Sequence, residues 1–328
     1  MTGDRQLLAD VARAFYVEDR SKTEIAAGLG ISRFKVARLL EEARDAQVVR
    51  ISIDDGMDHL SDLSARLSQH LQLHSATVVP GFTDGDANRD AVAQAAAAVI
   101  RRSVSHGDTF GFSWGRTLAQ IGPHMDVLPQ CTLVALTGSV GTDFTQSPVE
   151  VLRGVAGRSR SRTMSIFAPL MVEDAATAVA LRRDPAIRSV QATYRDLSLA
   201  VVSVGSWRPP ITQLMPALTD ADRLELDRHG ARAEMVGIFI RDDGRPIEAA
   251  LTSRRISISA KELIAVPQVL AVAGGIEKVP AIAAVARSRL ITMLVTDEET
   301  AERLLAEEPV AEGSRSLAVE APGGHPAP

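Results

Sequence analysis

Residues 21–45 read SKTEIAAGLGISRFKVARLLEEARD, and two helix starts stand in that stretch. Ser21 and Glu24 lie three apart, the spacing at which a serine oxygen takes the Glu24 amide and the glutamate reaches back to the serine amide. A short helix, Thr23 to Ala27, is predicted to end at Gly28-Leu29-Gly30, with Ile31 packing the turn. Ser32 then caps a longer helix to Asp45, whose Val36, Leu39, Leu40 and Ala43 share one face. Helix, tight glycine turn, helix is the arrangement that lays a second helix in the DNA major groove with its N-terminal part at the base edges. On that helix Ser32, Arg33, Ala37 and Glu41 face away from the apolar stripe, flanked by Phe34 and Arg38. A guanidinium can bind guanine O6 and N7 together, so Arg33 and Arg38 are the predicted base readers. Lys22, Thr23, Lys35 and Arg44 suit phosphates, and Ser21 adds an amide contact at a helix start. Seven basic residues stand against four acidic ones from Arg20 to Arg50. An ordinary helical hairpin with a solvated charged face has the same spacing, so spacing alone leaves both readings open.

Working outward, residues 4–18 place Leu7, Leu8, Val11, Ala14 and Phe15 on one helix face. Val48 to Ile53 is rich in β-branched residues and predicted extended, a possible short β-ribbon. This gives an all-α helix-turn-helix unit over 1–56. Residues 57–75 read as a linker or subunit-interface helix, with Leu60, Leu63, Leu67 and Leu71 at spacings of three and four. From Ala76 to residue 306 the texture changes to short apolar runs alternating with helical stretches. The runs are Ala76–Pro80, Thr109–Phe112, Thr132–Leu136, Arg162–Phe167, Leu199–Val204, Met235–Ile240, Val269–Ala273 and Leu290–Val295. Helices are predicted over 87–105, 147–157, 174–184, 258–264, 278–287 and 297–307. That alternation predicts a large Rossmann-like α/β domain with a mainly parallel sheet, whose ligands bind at the carboxyl ends of the strands. Residues 307–328, rich in Pro, Gly and Ala, are predicted to be a disordered tail.

Bulk properties narrow the classes. The 328-residue chain is 45% apolar with a net charge of −5, which argues against a whole-chain polyanion binder but not against a local basic face. The single Cys131 excludes an intrachain disulfide and multi-cysteine metal sites and suits a reducing cytoplasm. The start MTGDRQLLADVARAF is not a signal peptide, and no run of about 18 apolar residues predicts a membrane span. His70, His74, His106, His124 and His229 show no paired ligand spacing, so neither metal nor cofactor is expected.

Four strand-end loops carry the small-molecule reading. Gly111-Phe112-Ser113-Trp114-Gly115-Arg116-Thr117 follows a strand and opens a helix. Small residues let backbone approach an anion, helix-start amides point at it, and Ser113, Thr117 and Arg116 add hydroxyls and a cation. Gly274-Gly275-Ile276-Glu277-Lys278 repeats the plan, and Gly138-Ser139 and Gly205-Ser206 are two further loops. A tight turn whose glycines serve only sterics explains any one of them. Four at one sheet edge predict a crevice. Asp297-Glu298-Glu299 starts a helix, where capping is the expected role, and Trp207-Arg208-Pro209-Pro210 is a candidate cover for the crevice.

SKTEIAAGLGISRFKVARLLEEARDAQVVRISI resembles the N-terminal domain of the SorC/DeoR family of bacterial sugar-responsive regulators. The resemblance continues through GFSWGRTL at 111–118, LTGSVG at 136–141, VSVGS at 202–206, DDGRPI at 242–247 and the block from Val269 to Leu305. It implies an effector domain similar to sugar-phosphate isomerases and CoA transferases. Residues 113–117 would hold a phosphate, with Lys278 near the sugar. Where family members often carry Gly-Asp-Ile, this chain has Ala233-Glu234-Met235; Glu234 is then expected on ligand hydroxyls, with the pocket altered. The expectation is a regulator of a carbohydrate or polyol operon, acting by repression. It binds double-stranded operator DNA and a sugar, polyol or sugar phosphate, and self-associates as a dimer or tetramer without a membrane partner. The competing readings are an isomerase-like enzyme with Glu234 or Asp297 as base, and a protein-interaction module. Neither carboxylate sits in a clear acid/base pair in the sequence.

Overall fold

The computed structural model describes residues 2–46, 48–49, 57–141, 144–157 and 161–313. The chain divides into two compact units at Met57/Asp58.

The first unit holds α1 (Thr2–Tyr16), α2 (Lys22–Leu29) and α3 (Arg33–Asp45). Val11, Ile25, Val36, Leu40 and Ala43 form its buried centre, so the predicted apolar face of the second motif helix is the one that packs. Ser21 Oγ accepts the Glu24 amide at 3.3 Å and the Glu24 carboxylate accepts the Ser21 amide at 2.8 Å, completing the capping box. The helix then runs two residues beyond the expected Ala27. The left-handed residue that ends it is Gly30 (φ 65°), with its amide on the Ala26 carbonyl, so Gly28 remains helical. Ser32 Oγ accepts the Lys35 amide at 3.1 Å and starts α3. The β-ribbon expected over 48–53 lies, from residue 50 onward, outside the described residues.

The second unit begins with α4 (Met57–His70), β1 (Ser75–Val79), α5 (Gly85–Ser103), β2 (Thr109–Phe112) and α6 (Arg116–Ala119). It continues with β3 (Thr132–Ala135), α7 (Pro148–Ala156), β4 (Arg162–Met164), α8 (Ala175–Arg183) and α9 (Pro185–Ala192). Next come β5 (Leu197–Ser203), β6 (Gly205–Ser206), α10 (Asp220–Arg228), β7 (Ala231–Met235) and β8 (Ile238–Arg241). It closes with α11 (Ala260–Ala265), β9 (Gln268–Val272), α12 (Val279–Arg287), β10 (Met293–Asp297) and α13 (Glu298–Leu305).

Seven strands form one parallel sheet in the order β1-β10-β9-β5-β2-β3-β4. The inner strands β2, β3, β5, β9 and β10 are largely buried on both faces, which is why they read as apolar runs rather than alternating ones, while the edge strands β1 and β4 are more exposed. The chain moves outward from β2 to β3 and β4, then returns to place β5 on the other side of β2. The crevice beyond the β2 and β5 carboxyl ends is therefore a topological switch point, where ligands bind in open α/β sheets.

Three expectations change. Met235–Ile240, read as one strand, is a hairpin: β7 and β8 pair antiparallel around Val236 (φ 50°) and Gly237 (φ 77°). Positive φ at both central residues is the tight turn that matches strand twist, and glycine supplies one of them cheaply. With β6 these strands form a separate three-stranded sheet. The leucines of α4 are buried in the core of this unit, and Ser64 Oγ takes the Val78 amide at 2.9 Å, so the helix is built into the domain. The tail expected to be structureless from Glu307 starts with order: Val310 is buried and its amide donates to the His70 carbonyl at 2.9 Å. Residues 314–328 lie outside the described residues. No described helix is long and apolar enough to cross a membrane.

Candidate effector crevice and nucleic-acid interface

A crevice forms where the loops after β2, β5 and β9 meet. Its walls include Trp114, Gly115, Arg116, Thr117, Gly205, Glu234, Gly274 and Lys278, all singled out from sequence. The loops after β2 and β5 are stitched together. Ser113 Oγ accepts the Ser203 amide at 3.2 Å and Ser203 Oγ donates to the Trp114 carbonyl at 2.7 Å. Ser113 is fully buried, so its hydroxyl shapes the loop rather than facing a ligand. Gly115 has φ 143° and would bring a Cβ to 3.0 Å from Ser203 Oγ, which explains the glycine. Trp114 packs its ring into the apolar cluster with Trp207 and Phe239. The helix opened here, α6, is a single turn, so its dipole is a weak anion site and Arg116 and Lys278 carry the charge.

Glu234 is 3% exposed, at the end of β7. Its Oε1 accepts the Gly237 amide at 2.6 Å and its Oε2 accepts the Thr212 hydroxyl at 3.1 Å. Arg255 holds the same turn by donating to the Gly237 carbonyl at 3.0 Å. Burial pushes the Glu234 carboxyl up to about 7, against the pull of the Gly237 amide, the Thr212 hydroxyl and the charges of Arg255 and Lys278. Burial first, and the nearby Arg116 next, bring the Lys278 ammonium down to about 8. Both groups thus titrate near neutral pH, burial being the main cause in each. The folded chain keeps the Glu234 proton to a higher pH than the unfolded chain does, so this group costs stability as pH rises from about 4.5 to about 7 and adds no further loss above that. Glu234→Gln is expected to remove that loss: the urea midpoint of the variant, relative to wild type, rises across this window. An unchanged difference between pH 4.5 and 7 contradicts the assignment.

The other candidates fall elsewhere. Gly111 lies inside β2, where a Cβ would run into the Leu136 side chain; it serves strand packing. Gly138 would bury a Cβ in the Ala168 and Pro169 backbone, and Ser139 bridges to Pro169, lining a separate surface pocket with Phe167. These two residues are therefore not part of the crevice, and Gly138→Ala is expected to cost about 1–3 kcal/mol in chemical denaturation through overpacking. Ser206 is buried behind Gly205, its hydroxyl without a hydrogen-bond partner among the described residues. Gly275 lines the adjoining cleft with Gly274. Trp207, offered as a cover, is buried and donates its Nε1–H to Asp227 at 2.8 Å. Asp297 caps α13, and its Oδ2 also accepts the Gly275 amide at 2.8 Å and the Thr300 hydroxyl at 2.8 Å. Sequence reasoning missed Arg89, Ser203, Thr212 and Gln213, which also wall the crevice. A serine ending a strand was the one available signal; Arg89 comes from a helix more than 20 residues earlier in the chain.

In the first unit Ser32, Arg33, Phe34, Lys35, Arg38 and Arg44 are exposed, as are Ser21 and Thr23, while Lys22 and Ala37 are half-buried. Phe34 is 87% exposed, the most exposed large apolar side chain on α3. Arg38 reaches Glu42 at 3.3 Å across one turn, an exposed pair that costs little to break. Lys22 stands 5.6 Å from the Phe15 ring.

The family described as "Putative sugar-binding domain" matches residues 55–306. The transcriptional regulator LsrR of Klebsiella pneumoniae is 30% identical over 311 residues, which is 92% of this chain and 94% of that protein. The erythritol catabolism regulatory protein EryD of Brucella abortus is 26% identical over 309 residues, 93% of this chain and 98% of that one. The full-length sorbitol operon regulator SorC of Klebsiella pneumoniae superposes with TM-score 0.70 at 23% identity, covering 92% of this chain and 98% of that one, and shares the fold. Matched along most of its length by both a domain family and whole regulators, the chain belongs to the SorC/DeoR family of sugar-binding transcriptional regulators.

Proposed function

We propose that this protein represses a carbohydrate or polyol operon by holding double-stranded operator DNA through α3, and that an effector in the switch-point crevice controls its grip. The observation that carries this is the meeting of Arg116, Lys278 and the buried Glu234 at one strand-end crevice, in a chain whose other unit is a doubly capped helix-turn-helix. Two cations suit the phosphate of a sugar or polyol phosphate, with Glu234 and Thr117 toward its hydroxyls. Arg33 and Arg38 read bases, with Phe34 and Ala37 beside them for thymine methyls. Ser21, Lys22, Thr23, Ser32, Lys35 and Arg44 hold phosphates. The chain works in the cytoplasm as a dimer or tetramer, since half-site reading uses paired motifs. EryD and SorC, named for erythritol catabolism and a sorbitol operon, favour a polyol-linked operon here. Against an enzyme stands the commitment of Asp297 to capping α13 and to the Gly275 amide, and of both Glu234 oxygens to the Gly237 amide and the Thr212 hydroxyl.

A thermal-shift screen of sugars, polyols and their phosphates tests the effector half, because a ligand of the folded state raises its melting temperature. The expected result is a shift by a member of the phosphorylated set that also weakens binding to a DNA duplex selected from a random pool. Turnover of that compound, with no effect on DNA binding, would replace this reading with the enzyme.

A further inference from the structure

Beside the crevice lies a second, larger space. The crevice itself measures about 70 Å³ and the neighbouring cleft about 540 Å³. The first is roughly the share of two or three liquid waters, room for one compact group; the second is the size of a small-molecule pocket. Arg89, Thr117, Gly274 and Glu277 line both, so a single molecule can pass from one to the other.

Their electrostatics differ in balance. The crevice sets Arg116, Lys278 and Arg89 against Glu234 and Glu277. The cleft is walled by Glu277, Glu298, Glu299 and Glu302, with Arg89 the one basic residue in its wall among the described residues and already paired with Asp86. Glu298 has a neighbour in His59 at 3.3 Å; Glu299 and Glu302 are exposed toward solvent on the first turns of α13. Carboxylates accept hydrogen bonds from hydroxyls and ammonium groups and donate none, and a second anion brought among them meets like charge at close range. The side chains that welcome a polyol body therefore reject a phosphate at its far end.

Resting on the reading of the crevice as the effector site, we propose that the effector spans both spaces. It carries one anionic group in the crevice and a hydroxylated body, free of a second anion, in the acidic cleft. The wall made by Glu277, Glu299 and Glu302 selects singly phosphorylated compounds over doubly phosphorylated ones, and Arg89 stands where anion and body join.

Titration calorimetry of the full chain with matched pairs tests this: fructose 6-phosphate against fructose 1,6-bisphosphate, glucose 6-phosphate against glucose 1,6-bisphosphate, and ribulose 5-phosphate against ribulose 1,5-bisphosphate. In the pair that binds best, the monophosphate is expected to bind at least tenfold more tightly. In a Glu299→Gln, Glu302→Gln chain, altered only at exposed positions of α13, that ratio is expected to fall at least fivefold. A bisphosphate that binds as tightly as its monophosphate overturns the proposal while leaving the crevice reading intact, as does a ratio unmoved in the double variant, which would make the discrimination steric. If no member binds wild type, or if Arg116→Ala leaves monophosphate affinity unchanged, the crevice reading itself fails and the proposal with it.

Discussion

Alanine at both Arg33 and Arg38 is expected to abolish sequence-specific DNA binding while leaving the chain folded. Each bidentate guanidinium–guanine contact is worth about 1–3 kcal/mol of discrimination, so losing both weakens a selected duplex by roughly 30-fold to 10⁴-fold. Fluorescence anisotropy at one fixed salt concentration reads this directly. Both side chains are exposed, and the apolar face of α3 that holds the unit together contains neither. Unfolding is therefore not the expected cause, and an unchanged melting curve checks it. Lys35→Ala and Arg44→Ala should behave differently: affinity falls by similar factors for selected and random duplexes, and the slope of log K against log salt drops by about one unit. If the double arginine variant keeps its affinity for the selected sequence, the reading face of α3 is misassigned.

The second large effect is expected at Lys278. Burial and Arg116 lower its proton affinity, which means that the folded chain pays a desolvation cost to keep this ammonium charged. Because its folded-state proton affinity lies below the ordinary lysine value of 10.5, that cost is present below about pH 8 and fades as pH rises toward 10.5. Lys278→Met removes the charge and keeps most of the stem. Stability at pH 7 should hold or rise, while affinity for the phosphorylated effector falls by about 10- to 100-fold, the worth of a lost charge-assisted hydrogen bond. Arg116→Ala should lose a similar factor with little change in stability, since Arg116 is exposed. In wild type, effector affinity should decline at alkaline pH as Lys278 sheds its proton. A Lys278→Met chain that binds the effector normally removes the lysine from the site.

What could be read from the sequence was local. Ser21 with Glu24, Ser32 before Val36, and the left-handed Gly30 act over three or four residues, so the motif helices and their buried face followed from spacing. The long apolar runs marked the parallel strands, because a strand buried on both faces leaves no other pattern. Strand order was not legible: it is set by contacts between segments far apart in the chain. That is why Gly138-Ser139, a strand-end loop like the others, was grouped with the crevice although β3 lies beyond β2 and its loop turns toward Pro169. Arg89 was invisible for the same reason. The polar α10 carried little apolar periodicity, and the Val236–Gly237 turn was hidden inside an apolar run. Gly111 shows the limit of composition: its missing side chain makes room for Leu136, not for a ligand.

The large sheet pairs its first strand with its last, so the sheet cannot close until nearly the whole chain exists. Val79 ends β1 and Asp297 ends β10, the only strand that pairs with β1 among the described residues. Synthesis at about 5–20 residues per second separates those two residues by roughly ten to forty seconds. During that interval α1 to α3 are already complete and outside the ribosome, while β1 still waits with an open edge. The first unit, compact by itself, can thus fold while the sheet of the second unit is still open at β1.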